Sequence, residues 1–115
     1  AVSIERINLA DGVPIMYEIN LFPYQKFAFL LEEPLDGSLF ELLEKKCHTI
    51  VSYSNNSYLD LARASGRIAK ELRVPNREPL FFLYSEGYDS NNELVYIGKD
   101  YVLADQYRFY LDDPK

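Results

Sequence analysis

Three places in this sequence group side chains that could act on a small molecule. Arg6 lies before an Asp11-Gly12 turn signal and Glu18 after it, so a hairpin would bring a guanidinium and a carboxylate together. A guanidinium grips phosphate or carboxylate through two parallel hydrogen bonds, and it equally makes an ordinary cross-strand ion pair. A three-residue loop, Asp11 to Val13, would set Arg6 directly opposite Glu18. Ser38 precedes Leu39, Leu42 and Leu43 at helical spacing, with Glu41 three residues on, which is the pattern of a capped helix start. The free amides and positive dipole end of such a start attract an anion, although a plain cap is the commoner use of the serine. Cys47-His48 suggests a nucleophile–base or metal pair, but neighbouring strand side chains point apart. One Cys and one His are also too few for a Cys/His metal site, so no metal and no cofactor are expected. No acid, base or electrophile stands in a recognisable catalytic signature, so the reading is of a protein that is not an enzyme.

Elements must position these residues. Val2 to Leu9 sets Ile4, Arg6 and Asn8 against Glu5, Ile7 and Leu9, a strand pattern, and Pro14 to Leu21 completes a hairpin. Pro23 to Leu31 reads as loop plus a brief helix. The helix opened by Ser38 ends in Lys45-Lys46, which suits its negative terminus. From Ile50 to Ala64 the period is two: Val51, Tyr53, Leu59 and Leu61 on one face, and Ser52, Ser54, Asn56 and Asp60 on the other. Ser65 caps a short helix through Leu72, with Ile68, Ala69 and Leu72 inward and Val74-Pro75 as its stop. Leu80 to Tyr88 is a strand, Asp89 to Asn92 a turn, and Glu93 to Leu103 a strand interrupted by Gly98. Ala104-Asp105 turns the chain into a last strand, Gln106 to Leu111. The order β-β-α-β-α-β-β-β predicts an α+β fold with a mainly antiparallel sheet and flanking helices.

The 115 residues suit a single domain, 1–115, and 48% hydrophobic content supports a core. Ten Tyr and no Trp make an aromatic set rich in hydroxyls, fit for an all-β-like core, an interface or a polar-ligand pocket. A net charge of −6 argues against a phosphate-backbone binder and against an anionic membrane surface. No apolar run approaches the roughly 20 residues of a membrane helix. The single Cys47 excludes an internal disulfide and fits a cytoplasmic setting. The chain opens directly in a strand, which leads us to expect a further segment upstream.

Four stretches in register resemble a known family: ERINLADGVPIMYE, DGSLFELLE, IAKELRVPNREPLFFL and LVYIGKDYVLADQYRF. Together they resemble the UTRA domain, the ligand-sensing half of GntR-type regulators of the histidine-utilisation-repressor subfamily. The resemblance implies a chorismate-lyase-like fold, with a curved antiparallel sheet, helices, and a pocket between them. It also implies a homodimer whose DNA contacts come only through a separate N-terminal winged-helix domain, and a small-molecule effector such as a sugar phosphate or carboxylate. The shared fold leaves an enzyme of the chorismate-lyase type as the alternative.

Carried over residue by residue, the resemblance places ligand contacts at Arg6, Asn8, Glu18, Ser38, Phe40 and Tyr96. Arg6 occupies the family's first strand arginine. Asn8 stands where the family has a second arginine, which weakens the case for a doubly charged phosphate. Glu18 would accept from a hydroxyl or amine, or pair with Arg6. Phe40 takes an aromatic position without the hydroxyl and serves the site or only the core. Tyr96 replaces an acidic residue and would stack, donate its hydroxyl, or simply pack. Lys99, Asp100 and Tyr101 lie nearby, but strand alternation cannot send all three to one pocket. Tyr107, Arg108 and Phe109 read as structural. With Arg6 and the Ser38 helix start as its positive features, the pocket is expected to take an anionic effector.

Overall fold

The computed structural model describes residues 1–112. Five strands form one open sheet in the order β1-β2-β5-β4-β3, and every neighbouring pair is antiparallel. The strands are β1 (Val2–Ala10), β2 (Val13–Phe22), β3 (Tyr53–Arg63), β4 (Pro79–Tyr88) and β5 (Leu94–Leu103). The helices are α1 (Tyr24–Phe27), which continues as a 3-10 turn over Ala28–Glu32, then α2 (Leu39–Cys47) and α3 (Gly66–Leu72). The class is α+β, as the pattern of elements predicts.

Alternation along the strands divides the apolar residues between two cores. Val2, Ile4 and Phe22 meet Phe27, Leu30, Leu39 and Leu43 on one face. Tyr17, Leu80 and Leu103 meet Ala64, Ala69 and Leu72 of the α3 region on the other. Leu30 and Leu80 are wholly buried, and truncating either to Ala would cost roughly 2–5 kcal/mol.

The helix ends follow local chemistry. Ser38 Oγ accepts from the Glu41 amide at 3.3 Å, the cap that its spacing predicts. α2 stops at His48, which takes a left-handed φ of 54° while its amide returns to Glu44 O at 3.0 Å and that of Thr49 to Leu43 O at 3.2 Å. His48 is therefore the helix stop, and the Cys47 thiol donates to Leu43 O at 3.2 Å. The pair is architecture. Arg73 closes α3 in the same left-handed way, but the Ser65 side chain makes no capping bond there.

Beyond the Ser65 cap, four further expectations need correction. The hairpin loop is two residues, Asp11 and Gly12, both at positive φ as a type I′ turn requires. A register shift between Asn8 and Leu9 then supplies the extra residue, so Arg6 still pairs with Glu18. Gly98 does not interrupt β5; it pairs with Asn20 on one side and Ser85 on the other. Tyr53 and Leu59 do not share a face, because a register shift at Asn56, which has φ 53°, inserts a residue into β3. No sixth strand forms among the described residues. β5 already lies between β2 and β4, so the chain leaving it finds no free neighbouring edge, and Phe109 packs edge-on against Phe81 at 5.2 Å.

Candidate functional site

The first turn of α2 overhangs the sheet face that carries Arg6, Glu18, Tyr96 and Asp100. Between them lies a cavity of about 500 Å³. The sheet lines it with Glu18 and Asn20 from β2, Tyr96 and Asp100 from β5, Leu83, Tyr84 and Ser85 from β4, and Ser57 and Tyr58 from the β3 edge. Ser38, Leu39 and Phe40 close it from the helix side.

Arg6 does two jobs. Its Nε donates to Glu18 Oε1 at 2.9 Å, and its Nη1 donates to the carbonyls of Gly37 at 2.7 Å and Leu35 at 3.3 Å. The guanidinium thus ties β1 to the loop that aims α2. Its Nη2 has no protein partner among the described residues. Glu18 Oε2 also accepts from Asn8 Nδ2 at 3.3 Å.

Tyr96 forms part of the wall by a device that the backbone dictates. A Cβ on Gly87 would lie 2.2 Å from Tyr96 Cε1, and one on Gly98 would lie 3.0 Å from Cε2. The ring therefore rests across two glycines on neighbouring strands, blocked outright by a side chain at Gly87 and crowded by one at Gly98. Phe40 meets it edge-on at 5.3 Å. The same two rings border a second, more apolar cavity of about 420 Å³ under Ile50 and Val51, so they form the partition between the two spaces. Burial first, then the nearby Asp100 charge, pushes the Tyr96 hydroxyl above its usual range.

Asp100 is the residue that the sequence reading missed. Its Cα partners are Glu18 on one side and Leu83 on the other. Burial, and after it the Glu18 charge, pushes its carboxyl up to about 6. It makes no hydrogen bond or ion pair among the described residues. The signal that could have found it is simple: 96, 98 and 100 share a face once β5 runs straight.

Of the six expected contacts, Arg6, Glu18, Ser38, Phe40 and Tyr96 all border the larger cavity. Asn8 stands outside its wall and reaches it only through Glu18.

The family profile of the UTRA domain matches residues 1–108. Among solved structures, the chain is similar to the C-terminal domain of Yurk from Bacillus subtilis, at 19% identity and a TM-score of 0.89, over 96% of this chain and 77% of that one. It is similar to a GntR-family transcriptional regulator from Enterococcus faecalis, at 23% identity and a TM-score of 0.84, over 96% and 79% of the two chains. The effector domain of PhnF from Mycobacterium smegmatis gives 23% identity and a TM-score of 0.86 over 94% and 66%.

Proposed function

The chain belongs to the UTRA domain family, a ligand-sensing regulatory domain, and from that membership we propose that the cavity under α2 is its effector site. The observation that supports this most is convergence. Five residues chosen from the sequence, from three strands and a helix, border one cavity. The role is binding without catalysis, in a cytoplasmic regulator that reaches DNA through a separate winged-helix domain. No helix among the described residues is long and apolar enough to cross a membrane.

The effector carries an anionic group. The amides of Leu39 and Phe40 lie in the first helical turn, where no intrahelical carbonyl reaches them. Ser38 caps the same turn, and Arg6 Nη2 is free to add a charged donor. The effector site works in a homodimer. β3 is an eleven-residue edge strand with Tyr58 50%, Leu59 46% and Leu61 76% exposed, an apolar edge of the kind that pairs with another chain.

A thermal-shift panel of small phosphates and carboxylates tests the site, since a true ligand raises the melting temperature by mass action. Arg6→Lys should then bind the same ligand about tenfold or more weakly, because an ammonium cannot hold Glu18, the loop carbonyls and a ligand at once. A panel without any shift, or an Arg6→Lys variant that binds like the parent, would refute the assignment.

A further inference from the structure

Positive charge is concentrated in one part of an acidic chain. Between Arg63 and Arg77 stand five cations, Arg63, Arg67, Lys70, Arg73 and Arg77, and one acid, Glu71, while the whole chain carries −6. All five cations are exposed. They lie on α3 and on the two segments beside it, and α3 packs on the sheet face away from α2. Arg67 pairs with Glu5 at 3.0 Å, but no ion pair engages Lys70 or Arg73 among the described residues. Arg73 also has a φ of 58°, in the left-handed region that glycine enters freely and a longer side chain enters at a cost. The stop of α3 is thus made by a cation where glycine would serve with less strain.

Lys70 and Arg73 border a groove of about 330 Å³ between α3 and the β1–β2 hairpin. Ile7, Leu9 and Pro14 give it an apolar floor, and Leu9 is 57% exposed. Ile7 and Leu9 belong to β1, an outer strand of the sheet, so one edge of their backbone pairs with no strand. Free N–H and C=O groups along such an edge are a template for another strand. An apolar floor, an unpaired cationic rim and an open strand edge therefore meet in one place. We propose that this groove receives an extended acidic segment of another protein. The segment adds to the β1 edge, with its carboxylates on Lys70 and Arg73 and its apolar side chains on Ile7 and Leu9. In strand addition of this kind the main chain supplies affinity and the side-chain contacts supply selectivity.

A nucleic-acid duplex suits the groove less well. It brings no apolar side chain to the floor, Glu71 on the rim repels phosphate, and the net charge of −6 opposes a polyanion. A peptide answers all three, because it carries few charges and can place them only where the cations stand.

Fluorescence anisotropy with a labelled octapeptide, Val-Thr-Asp-Thr-Val-Thr-Asp-Thr, tests the proposal. As a strand this probe sets valine and aspartate on one face. It should bind the chain, and the binding should weaken as salt rises. Asparagine for both aspartates, or serine for both valines, should weaken it about tenfold or more. Proline for the second threonine should do the same, because it removes a strand N–H without touching the inward face. Lys70→Gln combined with Arg73→Asn should also lose about tenfold, since asparagine keeps the left-handed helix stop without the charge. An unchanged melting temperature confirms that this double variant folds. No binding of the octapeptide, equal binding of its asparagine, serine or proline form, or full affinity in the double variant overturns the proposal. Tighter binding of a short DNA duplex, lost in the double variant, overturns it in favour of a phosphate-binding surface. A double variant whose sedimentation differs from the parent's overturns it in favour of a second copy of this chain as the occupant.

Discussion

Each face of the sheet holds a carboxylate in a ring of donors, and the two rings differ in what they leave unmatched. On the α2 face Glu18 accepts from Arg6 at 2.9 Å and Asn8 at 3.3 Å. On the opposite face, toward the β3 edge, Glu86 accepts from Tyr84 at 2.7 Å, Asn56 at 2.8 Å and Tyr88 at 3.0 Å. Around Glu86 every donor is neutral, and stacked Tyr53–Tyr88 and Tyr58–Tyr84 pairs fill the space beside it. Around Glu18 there is a cavity, an arginine with a spare nitrogen, and an aspartate without a hydrogen-bond partner among the described residues. A satisfied carboxylate holds strands together. Its counterpart beside an unmatched charge has capacity left for a ligand.

The largest effect should come from closing the α2 side sterically. Gly87→Ala puts a methyl where Tyr96 Cε1 lies 2.2 Å away, so the ring must leave its seat. Overpacking of this kind costs roughly 1–3 kcal/mol, and ligand binding should fall with it because Tyr96 borders the cavity. Chemical denaturation of Gly87→Ala and of Gly87→Ala combined with Tyr96→Leu reads this directly. The double variant should recover stability by removing the clash. If Gly87→Ala alone is neutral, the ring is not pinned and the cavity wall is adaptable.

Much of this site was legible in the sequence because its signals are local. A serine before a leucine repeat declares a helix start, and a DG turn between two alternating runs declares a hairpin. The register that pairs Arg6 with Glu18 came out correctly even though the loop length did not, because the bulge after Asn8 restores the missing residue. Asp100 was hidden by one misreading. A strand broken at Gly98 loses its parity, so nothing beyond the break can be assigned to a face. β5 runs through Gly98 because β2 and β4 hold it on both sides, pairing Gly98 with Asn20 and Ser85, a long-range reason that no local pattern carries. The same holds for β3, where the left-handed Asn56 resets a two-fold pattern that looks continuous on paper. The absent sixth strand is a matter of topology: both neighbours of β5 were taken.

A smaller effect separates the two carboxylate environments by pH. The Asp100 carboxyl sits at about 6 in the folded chain, against roughly 4 when unfolded. Between those values the folded state binds more protons than the unfolded state. Stability therefore falls as pH rises from about 4 to about 6, and this group adds no further slope above that. Asp100→Asn removes the cost. Its stability relative to the parent should grow across that window and reach about 1 kcal/mol at neutral pH, once solvent screening of a partly exposed carboxylate is allowed for. Thermal melts at pH 4 and pH 7.5 provide the comparison. A parent more stable than Asp100→Asn at pH 7.5 would mean that the charge is matched after all, and the contrast between the two faces would collapse.

The smallest effect should be at Glu86. Its hydrogen bonds from Tyr84, Asn56 and Tyr88 hold its own carboxyl below the usual range. In return, the bond to Glu86, then burial, push the Tyr84 hydroxyl up to about 12. Glu86→Gln keeps the shape and an oxygen to accept a bond, but removes the charge that opposes a phenolate. Tyr84 should therefore titrate closer to the ordinary tyrosine value of about 10. The phenolate absorbance of Glu86→Gln should show two tyrosines, Tyr84 and Tyr88, moving into the earlier part of the alkaline titration. Global stability should change little, because the cluster is only half-buried and its donors can turn to water. Ligand affinity should change little, since Glu86 does not itself line the cavity and reaches it only through Tyr84. An unchanged alkaline titration would show that Glu86 does not hold Tyr84. A loss of ligand binding in Glu86→Gln would break the comparison outright, because it would mean that the tyrosine face and the cavity act as one site.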